Sequence, residues 1–351
     1  MTGLAALRGR RVLVTGHTGF KGAWLTLLLD TLGAEAHGLA LDPPSDPNLY
    51  GLARVGRHLA GDRRADVTDR EAVHHAVRDV RPDLVLHLAA QSLVREGYAR
   101  PAATFATNVM GTVHVLEAAT AVDCPVVVVT SDKCYEPHPG SPAHREGDAM
   151  GGHDPYSASK GAAELVAAAW QRSFGLRCVR VRAGNVVGGG DWGKDRLVPD
   201  LARAAALGRP CVVRRPEAVR PWQFVLDPLV GYLLAGARLL RGEPLPPALN
   251  FGPDPAGEAT VLDVCTRMAR AWPAVRLDLA PSAEGPAELP VLRLDNTLAR
   301  DTLGWTPTLD LDATVAFTSA WYRAWAEGDA DLEGRTLAQI ARFLDGRATS
   351  A

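Results

Sequence analysis

The chain has 351 residues, 47% hydrophobic and 22% charged, with 38 Lys and Arg against 40 Asp and Glu for a formal net charge of -2. That size provides for one large or two closely associated domains, and no block of like charge is available to attract nucleic acid or an anionic membrane. Five scattered cysteines without C-x-x-C spacing, and ten histidines without an H-x-x-x-H or H-E-x-x-H pair, argue against a disulfide framework and against a metal site.

The same cysteine usage favours a reducing cytoplasm. The N-terminus reaches a strand before a signal-like run forms, and no stretch approaches the roughly 20 apolar residues of a spanning helix. The chain is therefore expected to be neither secreted nor membrane-embedded.

Short β-branched runs then alternate with Ala- and Leu-rich amphipathic segments. RRVLVTG (10–16), AHGLALD (36–42), DLVLHLAA (83–90), PVVVVTS (125–131) and LRCVRVRAGNVVG (176–188) read as strands. GAWLTLLLDTLG (22–33), DREAVHHAVRDV (69–80), TFATNVMGTVHVLEAATAV (104–122) and PYSASKGAAELVAAAWQRSF (155–174) read as helices. This is the βαβ rhythm of a parallel sheet, and the continuous apolar character of VVVV and CVRV suits strands covered on both faces. The expected fold is α/β, a Rossmann-like doubly wound parallel sheet with a smaller, interleaved C-terminal substrate lobe. Residues 1–187 form the NAD-binding domain in this reading, with a returning segment near 222–242, and 188–345 form the lobe. The last residues, RFLDGRATSA, are expected to fray.

GHTGFKG follows the first strand directly and opens a helix, with glycines at Gly16, Gly19 and Gly22. The first permits a tight turn, the second lets backbone approach a pyrophosphate, and the third lets helix and strand pack closely; the helix N-terminus supplies N–H donors and a positive dipole. Asp42 ends the second strand, where an acid binds adenosine ribose hydroxyls, and with no arginine adjacent to it in sequence it favours NAD over NADP. Asp66, beside Val67, is placed near the adenine.

Tyr156 and Lys160, in YSASK, share one helix face. A phenol is a poor base at neutral pH, and a nearby ammonium stabilises its phenolate; the lysine can also hold the nicotinamide ribose. Ser131 ends the fourth of these strands and is followed at once by Asp132 and Lys133. With these residues the chain resembles the extended short-chain dehydrogenase/reductases, the superfamily of nucleotide-sugar epimerases and dehydratases, nearly end to end. Within it GHTGFKG, SDKCYE and GGGDW resemble the CDP-glucose 4,6-dehydratase branch.

The resemblance implies a homodimer built on helices 104–122 and 155–174, and a redox-neutral dehydration. Tyr156 takes the proton of the sugar C4 hydroxyl as hydride passes to NAD, with Ser131 on the same oxygen and Lys160 tuning the phenol. A base then removes the C5 proton while Asp132 protonates the departing C6 hydroxyl. Lys133 is either that base or a cation stabilising the C4 enolate. Besides Tyr156 and Lys160, the implied cofactor contacts are Gly16, Thr18, Gly19, Phe20, Lys21, Gly22, Asp42, Asp66, Val67, Ala89 and Ala90. Gln91, Arg95, Asn185, Arg196 and Arg220 are expected to hold a nucleotide-diphosphate sugar, guanidinium forks suiting phosphate oxygens.

Tyr135 is expected to be structural, and Trp192 and Trp222 either pack on sugar or base or sit in the core. The chain departs from the branch at Gly97, His153, Ala287 with Glu288, and the proline-rich loop 136–148, which puts the identity of the sugar or nucleotide in question more than the reaction. A 4-epimerase, a dehydratase for another nucleotide sugar, and a non-catalytic NAD-binding protein are the alternatives. Neither epimerase nor dehydrogenase needs an acid and a base after the serine.

Overall fold

The computed structural model describes residues 2–137, 143–254, 259–279 and 291–350. Seven strands form the central sheet: β1 Arg11–Thr15, β2 Glu35–Ala40, β3 Gly61–Arg64, β4 Leu84–His87, β5 Val126–Val129, β6 Cys178–Ala183 and β7 Ala248–Phe251. Their spatial order is β7-β6-β5-β4-β1-β2-β3, with every pairing parallel. The order reverses between β1 and β4, which opens a crevice at the carboxyl ends of those strands, where open α/β sheets hold ligands.

Period-two alternation distributes each strand between two cores. Val12, Val14, Leu84, Leu86, Val127, Val129, Val179 and Val181 face one side, together with α1 (Phe20–Thr31) and α6 (Leu226–Leu240). Leu13, Val85, Val126, Val128 and Cys178 face the other, against α2 (Arg70–Val80), α3 (Gly111–Thr120) and α4 (Pro155–Phe174). Both faces of β5 and β6 are buried along their whole length, as their unbroken apolar runs require.

Two strands carried no readable pattern. β3 is GDRR, a polar edge strand whose pairing to β2 rests on backbone alone, with Gly38 opposite Asp62 and Leu39 opposite Arg63. β7, ALNF, follows α6 and extends the sheet beside β6. The C-terminal half adds α5 (Leu197–Ala206), α7 (Val261–Ala271), α8 (Leu311–Ala326) and α9 (Leu332–Ser350) around two-residue ribbons. α9 runs to Ser350, and Arg347 near its end donates to the Thr306 carbonyl (2.9 Å) and Thr308 Oγ1 (2.8 Å). Among the described residues no helix is long and apolar enough to cross a membrane.

The helix carrying Tyr156 and Lys160 is closed at both ends by its own sequence. The Asp154 side chain accepts from Ser157 N at 3.0 Å as N-cap, Pro155 occupies the first helical position, and Gly175 leaves the helix at φ 67°.

Candidate active site

A cleft of about 690 Å³ lies across the carboxyl ends of the strands, walled on its far side by the C-terminal lobe. At one end is the glycine turn. Gly16 has φ +77°, and a Cβ there would fall 2.8 Å from Ala89 N; a Cβ on Gly22 would run into the Gly16 carbonyl. Gly19 opens α1 with no side-chain cap, so the first N–H groups of the helix stay available beside the cleft. Thr18 Oγ1 fixes the turn to the Leu41 carbonyl at 2.9 Å. An uncapped helix N-terminus over a backbone cradle fits a dinucleotide pyrophosphate.

Gly16, Thr18, Gly19, Phe20, Lys21, Gly22, Asp42, Asp66, Val67, Ala89 and Ala90 all line this cleft. One expectation changes here. Although no arginine neighbours Asp42 in sequence, β3 brings Arg64 Nε to 3.2 Å from its carboxylate. Arg64 is itself held by Asp62 and His17 and lies over the Tyr50 ring at 4.8 Å. Asp66 spends one oxygen on Thr68 N at 2.8 Å, which shapes the turn after β3.

At the centre of the cleft Ser131, Asp132, Lys133, Tyr156 and Lys160 come together. Ser131 Oγ donates to Asp132 Oδ1 at 2.9 Å and accepts from Lys133 N at 3.2 Å, while the other carboxyl oxygen, Asp132 Oδ2, is buried with no partner among the described residues. Burial holds the Asp132 carboxyl above the ordinary carboxylate range, opposed by Lys133, the Ser131 hydrogen bond, Lys21 and Arg220. The Tyr156 phenol is pushed up to about 12 by burial and drawn back by hydrogen bonding to Ser131 and by Arg196. Lys160 donates to the Val129 carbonyl at 3.2 Å, and desolvation lowers its ammonium to about 8. Lys21 is lowered to about 8 in the same way, helped by Arg196.

A buried ionic frame braces this turn from behind. Glu164, two helical turns beyond Tyr156, accepts from Thr130 Oγ1 (2.5 Å) and from Arg182 Nε and Nη2 (2.8 Å each), and pairs with Arg180 Nε at 3.1 Å. Arg182 Nη1 donates to the Tyr135 hydroxyl at 2.6 Å, which donates in turn to Asn250 Oδ1 at 2.7 Å. Tyr135 lies in this frame and outside the cleft lining.

Toward the lobe, Arg95, Asn185, Arg196 and Arg220 line the cleft. Arg196 grips both oxygens of Asp191 (3.1 and 2.9 Å) and reaches Ser92 Oγ at 2.9 Å. Arg95 pairs with Asp195 at 3.4 Å. Gln91 differs from expectation: its side chain is spent on Thr104 Oγ1 and Leu93 N and does not line the cleft. Trp192 is a core residue against Tyr322 and Trp325, whereas Trp222 borders the cleft with its Nε1 on the Ala259 carbonyl.

Asp191, Asp195 and Arg214 also line the cleft and were not singled out from sequence. The charged GGGDW loop was a signal for Asp191. Arg214, which pairs with Asp195 at 3.3 Å, comes from a lobe segment with no motif. At Gly97 a Cβ would make a tight contact, 3.2 Å from Tyr156 N. His153 is exposed, with Nε2 at 3.1 Å from Glu136 Oε1. Ala287, Glu288 and residues 138–142 of the loop lie outside the described residues.

Residues 12–247 match the family model described as the NAD dependent epimerase/dehydratase family, and the chain belongs to that family. It is 42% identical over 334 residues to the CDP-glucose 4,6-dehydratase of Salmonella typhimurium, covering 92% of this chain and 93% of the relative. It is 29% identical to a UDP-glucose 4-epimerase of Mycolicibacterium smegmatis, covering 89% of this chain and 98% of that one. Among solved structures, the Thermus thermophilus UDP-glucose 4-epimerase complexed with NAD superposes with a TM-score of 0.77 at 26% identity, covering 89% of this chain and 99% of the other. The Bacillus anthracis dTDP-glucose 4,6-dehydratase, also complexed with NAD, shares the fold at TM-score 0.77 and 18% identity, covering 93% and 99%.

Proposed function

We propose that this protein is a nucleotide-diphosphate-sugar 4,6-dehydratase acting on CDP-D-glucose and producing CDP-4-keto-6-deoxy-D-glucose. The observation that carries the reading is the buried, unpartnered Oδ2 of Asp132 beside Ser131 and Tyr156. Burial raises the proton affinity of that carboxyl, which suits it to the general-acid role that an elimination uses and an epimerisation does not. The 42% identity to a CDP-glucose 4,6-dehydratase supports the same reaction and the same base.

NAD bound over the glycine turn supplies a hydride acceptor for C4 and a donor for C6. The residues supply the rest. Tyr156 removes the C4 hydroxyl proton, and Ser131 holds the same oxygen. Asp132 protonates the C6 hydroxyl as it leaves, and Lys133 faces C5 as base or as cation beside the enolate. Arg196 and Arg220, with Arg95 and Asn185, hold the diphosphate and sugar, and the lobe from residue 188 onward closes that end. The five cysteines are free thiols, which supports a cytoplasmic setting. Tyr98, Phe105, Met110 and Leu165 are exposed on or beside the two long helices, which supports a homodimer through them.

Mass spectrometry of CDP-glucose incubated with the protein in deuterated water tests the reading. Loss of one water with one deuteron retained at C5 is the expected result. Unchanged mass for every nucleotide glucose tried would overturn it.

A further inference from the structure

With NAD over the glycine turn and the reacting sugar at Ser131, Asp132 and Tyr156, a diphosphate on Arg196 directs the nucleoside toward the lobe. That end of the cleft is lined by the first turn of α5, Leu197–Asp200, and by the strand Cys211–Val212. Val212 is exposed there and offers an apolar face to a flat ring. Asp200 stands one helical turn from Arg196, its N–H on the Arg196 carbonyl at 3.0 Å.

An acid in the wall of a cleft for an anionic ligand works against the ligand's charge and calls for a reason. Asp195, the other acid at this end, is balanced within the wall, its Oδ1 lying between Arg95 (3.4 Å) and Arg214 (3.3 Å). Asp200 is arranged differently. Its partner Arg203 does not line the cleft and is anchored behind it, donating to the Trp192 carbonyl at 3.1 Å, the Gly193 carbonyl at 3.3 Å and Asp200 Oδ1 at 2.5 Å. The carboxylate is thereby held in one orientation, and its other oxygen, Oδ2, makes no hydrogen bond among the described residues. The cation that would suit a phosphate is set back, and an acceptor is presented in front of it. Pyrimidine bases differ in what they can offer such an acceptor: position 4 carries an amino donor in cytosine and a carbonyl acceptor in uracil and thymine.

We infer that Asp200 reads the base of the nucleotide: Oδ2 accepts a hydrogen bond from the 4-amino group of cytosine, and the same oxygen opposes the 4-carbonyl of uracil and thymine. Arg203 is a positioning residue, which fixes the oxygen that faces the ring. The assignment rests on the nucleotide-sugar reading above, which places the base at the lobe end, and it gives that reading a residue that selects cytosine. Arg203 also determines what an amide would do at this position. In Asp200→Asn the amide oxygen takes the place of Oδ1 on the guanidinium, so the amide nitrogen, a donor, replaces Oδ2 toward the ring.

The test is calorimetry of CDP and UDP binding to the NAD-loaded protein, wild type and Asp200→Asn, beside turnover of the two nucleotide glucoses. The wild type should bind CDP about 10- to 100-fold more tightly than UDP, the size of one hydrogen bond to a charged group. Asp200→Asn should weaken CDP and tighten UDP, so that the preference reverses. A CDP analogue with hydrogen in place of the 4-amino group probes the unaltered protein, and should bind it about 10- to 100-fold more weakly than CDP. Equal weakening of CDP and UDP in the variant marks a carboxylate that only holds Arg203, and overturns the assignment. A wild type that binds CDP, UDP and the analogue alike overturns it as well, whatever its turnover. Selection of CDP through Asp200 by a protein that dehydrates no nucleotide glucose would remove the reaction and leave the base reading in place.

Discussion

Replacing Asp132 by asparagine isolates the acid step. The amide keeps an oxygen where Oδ1 accepts the Ser131 hydroxyl at 2.9 Å, so the turn over 132–134 retains its hydrogen bond while the transferable proton is lost. A positioned general acid contributes about 10²- to 10⁴-fold, equivalent to about 3–5 kcal/mol of barrier at 1.36 kcal/mol per tenfold. The expected outcome is a fall of that size in kcat for loss of water, read by mass spectrometry of the product, with KM little changed. Stability should move the other way. The folded Asp132 pKa is raised, so the native state holds its proton at pH values where the unfolded chain releases it. Wild-type stability is therefore lost as pH rises through that window, and the variant escapes this loss. Its melting temperature should gain on the wild type as pH rises above the range of an ordinary carboxyl. Water loss within about threefold of wild type would refute the assignment, because a positioned general acid typically contributes at least about 10²-fold.

Three further outcomes are expected. Gly22→Ala drives a Cβ into the Gly16 carbonyl and should abolish NAD binding measured by calorimetry, while an alanine at Gly147, where no atom lies within 4 Å, should leave binding intact. The ammoniums of Lys160 and Lys21 are held at about 8, so kcat/KM should fall as pH rises through that value, and Lys160→Arg should leave only the Lys21 titration and make the decline shallower, in a pH–rate profile. Leu165→Glu, on the exposed face of α4, should convert a dimer into a monomer by light scattering without altering the monomer's melting curve.

What the sequence made legible was local. The glycine turn, the strand ending in Ser131, Asp132 and Lys133, and the four-residue step from Tyr156 to Lys160 each lie within one short segment, and one strand, turn or helix delivers them together. What escaped was delivered across the sheet. β3 shows no apolar alternation because its four residues, GDRR, sit at an edge, and yet it brings Arg64 against Asp42. Gln91 follows two alanines of the cleft wall, but Asn108 in the π turn over Ala106–Met110 captures its backbone and Thr104, in the helix before that turn, its side chain.

The same distinction explains why Glu164 carried no signal. On α4 it continues the four-residue ladder of Tyr156 and Lys160 and reads as one more polar residue among alanines. In the fold it is 2% exposed and binds the residue before Ser131 on one side and Arg182 on the other, while Arg182 holds the residue that closes the Asp132–Cys134 turn. Tyr156 and Asp132 belong to different elements, a helix and the turn after β5, and both can address one substrate only if these elements keep their spacing. A carboxylate bridging two arginines in a dry interior costs desolvation that an apolar residue would avoid. Its hydrogen bonds are directional, however, and fix one relative placement of helix and turn where apolar packing would admit several.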